Sequence, residues 1–386
     1  LVTSQDIICF WVARMIMAGY EFKGKRPFKD VYFTGMVRDK KRRKMSKSLG
    51  NSPDPLDLID KYGADGVRVG MLMTAPAGND LLFDEDLCSQ GSFFANKVWN
   101  AFRLVGMWEA GDQAMNHSEK LSVHWMRNRI AEALIELESS FEKYRLSEAL
   151  MTTYKLVWDD FCSWYLEMIK PMKGERISAG ALEETKTIFN TLLEIMHPFM
   201  PFITEELWQN LAVRKDGETI NFAVWPSLEV EDVSALKSFE HFTEVVGGIR
   251  TVRNENGITP KEPLTLEIAK NTNHDVAYDS LIKKLAHVEA IMQVEEVKKS
   301  AFSFVVGGIN YTIPADAFVN VDEEIAKLQE ELKYTEGFLK SVLKKLSNER
   351  FVSNAPDAVV VSERKKQEDA ESKIALIAQR LEALKK

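Results

Sequence analysis

The sequence predicts a multidomain chain: part of an open α/β fold, then an all-α bundle, a small α+β unit and a C-terminal antiparallel coiled coil. Three observations predict it. At 386 residues the chain is too long for one hydrophobic core. Its apolar period changes along its length, from helical spacing to alternation to heptads. Its first eighty or so residues read helix, strand, basic loop, helix, the order of an open sheet that holds nucleotides. The expected units are 1–83, 84–218, 219–318 and 319–386.

Residues 5–18 carry Ile8, Trp11, Val12, Met15 and Ile16 at helical spacing. Residues 30–37 are β-branched and aromatic and read as one buried strand ending in a tight turn near Gly35. Asp54-Pro55-Leu56-Asp57 is a helix start, with Asp54 as cap and Pro55 in the first turn. That helix ends near Tyr62-Gly63, another begins at Asp65, and Ala75 to Asp80 breaks the chain.

From Asp84 to Leu211 three apolar stripes define a bundle. They run Phe94, Val98, Phe102, Val105, Trp108; then Trp125, Ile130, Leu134, Leu137, Phe141; then Tyr154, Val157, Trp158, Phe161, Trp164, Tyr165, Met168. Such aromatic stripes are core rather than cofactor contacts. Thr219–Phe222 and Leu264–Ile268 alternate as strands do, and 302–311 reads as a hairpin around Gly307-Gly308. Ile325, Leu328, Leu332, Leu339, Val342 and Leu346 form one heptad stripe; Val360, Ala370, Ile374, Ile377, Leu381 and Leu384 form a second, with a turn at Ser353–Pro356 between them.

Composition excludes several classes. No apolar run reaches the roughly 18 residues of a membrane span. The three cysteines, Cys9, Cys88 and Cys162, lack a CxxC spacing and sit among apolar residues, so they read as buried small hydrophobes in a reducing, cytoplasmic setting. The six histidines form no HxH or HxxxH pair, so no protein-held metal is expected. Net charge is −8, yet the stretch from Lys23 to Lys47 is strongly basic; acidic totals do not exclude nucleic acid when the positive charge is local. Leu1-Val2-Thr3 has neither an initiator Met nor a signal peptide and reads as a strand within a longer protein.

The chemistry concentrates in Lys44-Met45-Ser46-Lys47-Ser48. Two lysines three apart, with Ser46 between them and Ser48 after them, form a cationic loop, able to stabilise charge on a departing pyrophosphate while Ser46 and Ser48 donate to phosphate oxygens. A loop can close on ATP and reopen. By itself the pentapeptide also fits a plain lysine–serine surface turn.

Lys44–Ser48, continued by Gly50-Asn51, Asp54-Pro55 and Lys61–Asp65, resembles the signature loop of class I aminoacyl-tRNA synthetases. Asp6–Met15, Gly78–Glu85, Asn96–Ala101, His197–Trp208 and the coiled coil with Asn354-Ala355-Pro356 resemble the valine group within them. The resemblance spans the chain. It implies a Rossmann-like catalytic part, an anticodon-binding bundle and a tRNA-binding arm in a monomer, which joins L-valine to tRNA(Val) using ATP and substrate-bound Mg²⁺. Lys44 and Lys47 would be catalytic. Gly35, Met36, Val37, Met45, Ser46 and Ser48 would join them around ATP. Ile7 and Trp11 would line the valine pocket, or else be helix core. Lys97, Asn100 and Arg103 would touch tRNA. The resemblance leaves an isoleucine or leucine enzyme, or a non-catalytic tRNA-binding module, as alternatives.

Three positions depart from the family pattern. Thr34 stands where a His is common, and the Asp6 stretch lacks a preceding glycine. Arg42 replaces a usual glycine, so no left-handed turn is expected there. The second ATP signature, His-x-Gly-His, and the editing domain do not occur in this sequence. The chain alone is therefore expected to bind tRNA without synthesising adenylate.

Overall fold

The computed structural model describes residues 1–74, 80–270, 272, 274–295, 301–314, 321–347 and 357–384. They gather into two units, Leu1–Leu236 and Lys237–Lys386. No helix among the described residues is long and apolar enough to cross a membrane.

In the first unit, β1 (Val2–Ser4) lies parallel to β2 (Tyr32–Thr34), with Val2 opposite Tyr32. A 3₁₀ turn at Gln5–Ile7 and a wide π turn at Ile8–Val12 lead into α1 (Ala13–Lys23), which Gly24 closes in the left-handed region. The helical spacing is borne out, but only Val12 of its stripe is buried. Cys9 is exposed, a correction; Cys88 and Cys162 are buried. The physical reason is that the neighbours of Cys9 in the same turn, Ile8, Phe10 and Trp11, are exposed as well, so among the described residues nothing covers this part of the chain. Burial pushes the Cys162 thiol up to about 12, so it stays a protonated, inert packing group.

The strand expected over 30–37 is two strands. β2 ends at Thr34, whose Oγ1 donates to the Thr3 carbonyl at 3.4 Å. β3 (Val37–Arg38) pairs in parallel with β4 (Leu81–Leu82), Val37 opposite Leu81. Asp80 redirects the chain between them: its carboxylate accepts from the Met36 N–H at 3.3 Å and from Arg38 Nε at 2.5 Å.

The helix α2 (Pro55–Tyr62) starts as the sequence predicts, with Asp54 accepting from the Leu56 N–H at 2.9 Å. The next two helices, α3 (Ala64–Met73) and α4 (Glu85–Gly106), meet backbone to backbone. A Cβ on Gly70 would stand 2.6 Å from the Cys88 nitrogen, and one on Gly91 would stand 2.5 Å from the Gly66 oxygen, so neither glycine tolerates alanine without movement. The bundle continues with α5 (His117–Glu142), α6 (Leu146–Lys155), a π-helical stretch Leu156–Tyr165, α7 (Leu166–Ile169), α8 (Ala179–Met196) and α9 (Pro201–Leu211). All three stripes face inward; Phe94, Val98, Trp125, Ile130, Leu137, Phe161 and Tyr165 are almost wholly buried. At roughly 1.5–3 kcal/mol for each large apolar side chain, these residues carry the bundle's stability.

Polar joints also hold the bundle, two of them at helix starts. Asn116 and Glu119 form a capping box at the start of α5, and the other Glu119 oxygen accepts from the Ser178 N–H at 3.2 Å. Asp65, in the first turn of α3, accepts from the N–H groups of Phe202 at 3.3 Å and Ile203 at 2.7 Å at the start of α9. Arg68 donates to the carbonyls of Pro198 and Phe199. The α/β part is thus pinned to the Pro198–Pro201 break.

Thr219–Phe222 is no strand. Ile220–Phe222 is a 3₁₀ turn, capped by Thr219 and held by Glu205, whose carboxylate accepts from Thr219 Oγ1 at 2.6 Å and the Ile220 N–H at 3.1 Å. Side-chain bonds to the local backbone outcompete a sheet ladder here.

The helix α10 (Val233–Glu255) leads into the second unit. Its sheet has the order β8 (Val288–Val294), β7 (Leu264–Ala269), β10 (Ile309–Pro314), β9 (Ala301–Val306). Only the β7–β8 pair is parallel, joined through α11 (Asp279–Ala286). The expected hairpin is present, and both Gly307 and Gly308 have positive φ, the two-residue turn that suits the sheet's twist. Gly248 of α10 lies against the Phe304 ring. The helices α12 (Val321–Leu346) and α13 (Asp357–Leu384) run antiparallel, with Lys373 bonded to Glu331 and Lys345 to Glu363. Leu328, Val342, Ala370, Ile377 and Leu381 are buried along the heptad stripes, and Thr335, the one polar heptad position, bonds back to the Glu331 carbonyl. The side chains of Ile325 and Leu384 and the turn at 353–356 lie outside the described residues.

Candidate active-site loop

The loop from Arg38 to Asn51 is a hairpin followed by a cap. Arg38 and Lys44 face each other as an antiparallel bridge. The turn closes through Arg42 N–H to the Asp39 carbonyl at 2.8 Å and Asp39 N–H to the Arg43 carbonyl at 2.9 Å. Arg42 has φ 61°, so a left-handed turn exists where the missing glycine argued against one. The reason is Asp39. Its carboxylate accepts from the N–H groups of Lys41 and Arg43 and from Arg43 Nε, fixing the turn from both sides. The Asn51 amide, with the backbone and side chain of Arg43, holds the Asp39 carboxyl well below the usual carboxylate range. The left-handed conformation still costs a non-glycine residue about 1–2 kcal/mol. Arg42→Gly is therefore expected to slow hydrogen exchange at the Arg43 amide by about fivefold; unchanged or faster exchange would show that the turn carries no strain.

Beyond the hairpin, the Met45 N–H donates to the Val37 carbonyl at 3.1 Å, and Ser46 begins a 3₁₀ turn over Lys47–Leu49. Ser46 Oγ accepts from the Leu49 N–H and lies 3.2 Å from Ser48 Oγ. Gly50 closes the turn at φ 62°. The two serine hydroxyls thus share a hydrogen bond with each other, one that an incoming anion can replace. Lys44 Nζ lies 3.2 Å from Asp6 Oδ2, an exposed pair of small net energy. Lys47 is exposed, and among the described residues no carboxylate pairs with it.

The structure brings some expected residues together and not others. Gly35 and Val37 line an apolar cavity of about 680 Å³ with Tyr32, Met71, Leu72 and Tyr144; none of residues 44–48 lines it. Met36 is turned to Asp80 through its N–H. Ile7 is 38% and Trp11 57% exposed, so neither is helix core. On α4, Asn100 and Arg103 lie exposed one turn apart, while Lys97 sits 5.4 Å over the Trp158 ring. Sequence reasoning assigned no role to Asp6, Asp39, Asn51 or Asp80. Asp39 and Asn51, polar turn formers that flank the lysine run, were the available signal.

The family described as "tRNA synthetases class I (I, L, M and V)" matches residues 1–84, "Anticodon-binding domain of tRNA ligase" matches 123–268, and "Valyl tRNA synthetase tRNA binding arm" matches 320–385. A valine–tRNA ligase of Phocaeicola vulgatus is 55% identical over the whole of this chain. The chain belongs to the valine–tRNA ligase family of class I tRNA synthetases. It spans 44% of the length of that valine–tRNA ligase and of one from Parabacteroides distasonis, 54% identical. A valine–tRNA ligase of Listeria monocytogenes is 38% identical, again over the whole chain and 45% of its own length. A solved LeuRS–tRNA–LeuAMS complex from Agrobacterium radiobacter aligns with 72% of this chain and 33% of its own at 16% identity, with a TM-score of 0.44.

Proposed function

We propose that the protein carrying this chain activates L-valine with ATP and Mg²⁺ to valyl-adenylate and transfers it to tRNA(Val). The observation that carries the reading is the Lys44–Ser48 turn, rigidly capped and presenting an exposed Lys47 ammonium, in a chain whose relatives are valine–tRNA ligases. Lys47 stabilises charge on the departing pyrophosphate, and Lys44 joins it by leaving Asp6. Ser46 and Ser48 donate to phosphate oxygens; Met45 anchors the turn to β3. Gly35, Met36 and Val37 support the adenine. Ile7 and Trp11 present apolar surface to the valine side chain, and their exposure fits that role better than a core one.

The segment 1–83 serves as the signature-loop part of the catalytic domain, 84–218 as the anticodon-binding bundle, 219–318 as a small α+β connector and 319–386 as a coiled-coil arm leaning on tRNA. Lys97, Asn100 and Arg103 of α4 contact the RNA, phosphates by charge and bases by hydrogen bonds. Mg²⁺ enters on the ATP phosphates. The test is amino-acid-dependent ATP–pyrophosphate exchange by the whole protein. Valine is expected to exceed isoleucine and leucine in kcat/KM by about 10–200-fold. Preference for either competitor overturns the assignment.

A further inference from the structure

We propose that Asn51 is a positioning residue for the signature loop: it fastens the lysine-bearing turn to the Asp39 hairpin, so that the backbone carrying Lys44 and Lys47 is set before ATP arrives. This rests on the reading of the loop given above.

The side chain of Asn51 is half-buried, and each end of it is used. Its Oδ1 accepts from the Ser46 N–H at 3.0 Å. Its Nδ2 donates to Asp39 Oδ2 at 3.0 Å and to the Lys44 carbonyl at 3.3 Å. One amide thus grips the backbone at Lys44 and Ser46, on either side of Met45, and ties both to the carboxylate that organises residues 39–43. Lys47 follows directly, as the first residue of the 3₁₀ turn capped by Ser46.

The chemistry needs an amide at this place. Ser46 N–H requires an acceptor while Asp39 and the Lys44 carbonyl require donors, and a carboxamide supplies both from one planar group. Aspartate would keep the acceptor but set two carboxylates against each other. Leucine would fill the space and satisfy none of the three. A loop that must open and close gains rate from being pre-aimed, because the ordering is then complete before the transition state.

The experiment measures valine-dependent ATP–pyrophosphate exchange by the whole protein carrying Lys47→Ala, Asn51→Ala, Asn51→Asp, or Asp39→Asn with Asn51→Asp. Lys47→Ala tests the loop reading itself; if it leaves the rate intact, that reading fails whatever the Asn51 variants do. With Lys47→Ala impaired, Asn51→Ala is expected to lower kcat by about tenfold or more, with KM for valine within about twofold of the parent. Asn51→Asp is expected to be at least as slow, and Asp39→Asn in that background to recover activity about threefold or more, because the amide introduced at position 39 restores a donor–acceptor pair across the same gap. Unfolding midpoints recorded for every variant separate loss of aim from loss of fold, and the paired variant separates them again. Normal kcat in Asn51→Ala, or a paired variant as slow as Asn51→Asp, overturns the proposal.

Discussion

Lys47→Ala in the whole protein is expected to slow valyl-adenylate formation by about 10²–10³-fold, the loss that follows removal of one fixed charge-stabilising donor. The charge that builds as the α-phosphate is attacked lies on the departing pyrophosphate, so the interaction is made chiefly in the transition state. The loss should fall on kcat, with KM for valine little changed. Lys47 is the better placed of the two lysines, because it stands exposed on a turn fixed by Ser46 at one end and Gly50 at the other. Lys44→Ala should cost less, since its ammonium must first leave Asp6, although at 3.2 Å and largely exposed that pair is a weak competitor for a triphosphate. Pyrophosphate exchange and single-turnover adenylate formation read the effect. An unchanged rate in Lys47→Ala would end the case for this loop as the ATP site.

Arg253→Met is expected to destabilise the second unit by about 3–5 kcal/mol. Arg253 is only 5% exposed and has no carboxylate hydrogen-bonded to it among the described residues. Its guanidinium donates instead to four carbonyls: Thr259 and Glu262 in the connection after α10, and Ala286 and His287 at the end of α11, at 2.7–3.1 Å. Burial pulls its pKa below the ordinary arginine value, with Glu262 acting against that pull. The helix-end dipole of α11 and the planar fork of the side chain together make the site worth its desolvation. Methionine fills much of the volume but takes the side-chain donor from all four carbonyls, of which that of Thr259 keeps the Glu262 N–H. Lysine keeps the charge but cannot span the four acceptors, so Arg253→Lys should recover less than half of the loss. Urea unfolding of the chain, with hydrogen exchange at β8 amides, checks both variants; a midpoint within experimental scatter of the parent for Arg253→Met would show that water replaces the guanidinium at no cost.

Much of the architecture is legible without coordinates because it is written in local periods. Phe94, Val98 and Val105, or Leu328, Ile377 and Leu381, recur at spacings that leave one helical face to bury, and they are buried. Asp54-Pro55 stops and starts the backbone by its own stereochemistry, and Gly307-Gly308 makes the hairpin its sequence announces. The errors arise where a distant residue decides. Residues 30–37 become two strands because Asp80 takes Met36 and Arg38. Thr219–Phe222 leaves the strand pattern because Glu205 offers a better acceptor than a neighbouring strand. Arg42 is the local exception: Asp39, three positions before it, bonds the turn from both sides and lets it go left-handed without a glycine.

The signature loop shows the same division. Its residue types, two lysines and two serines in five positions, state the chemistry, since cationic and hydroxyl donors are what a triphosphate needs. The shape that makes them usable comes from Asp39, Asn51 and Asp6, whose roles no linear spacing reveals. What the sequence alone determined is the order of the bundle and arm helices, the Gly307-Gly308 hairpin and the charge of the loop, because these depend on side chains within a few residues of one another. Only the tertiary structure decided where Lys44 and Lys47 are held, what Arg253 binds and which apolar faces stay exposed, because those depend on groups brought together from 5 to 44 positions apart by a chain that must satisfy its buried polar atoms.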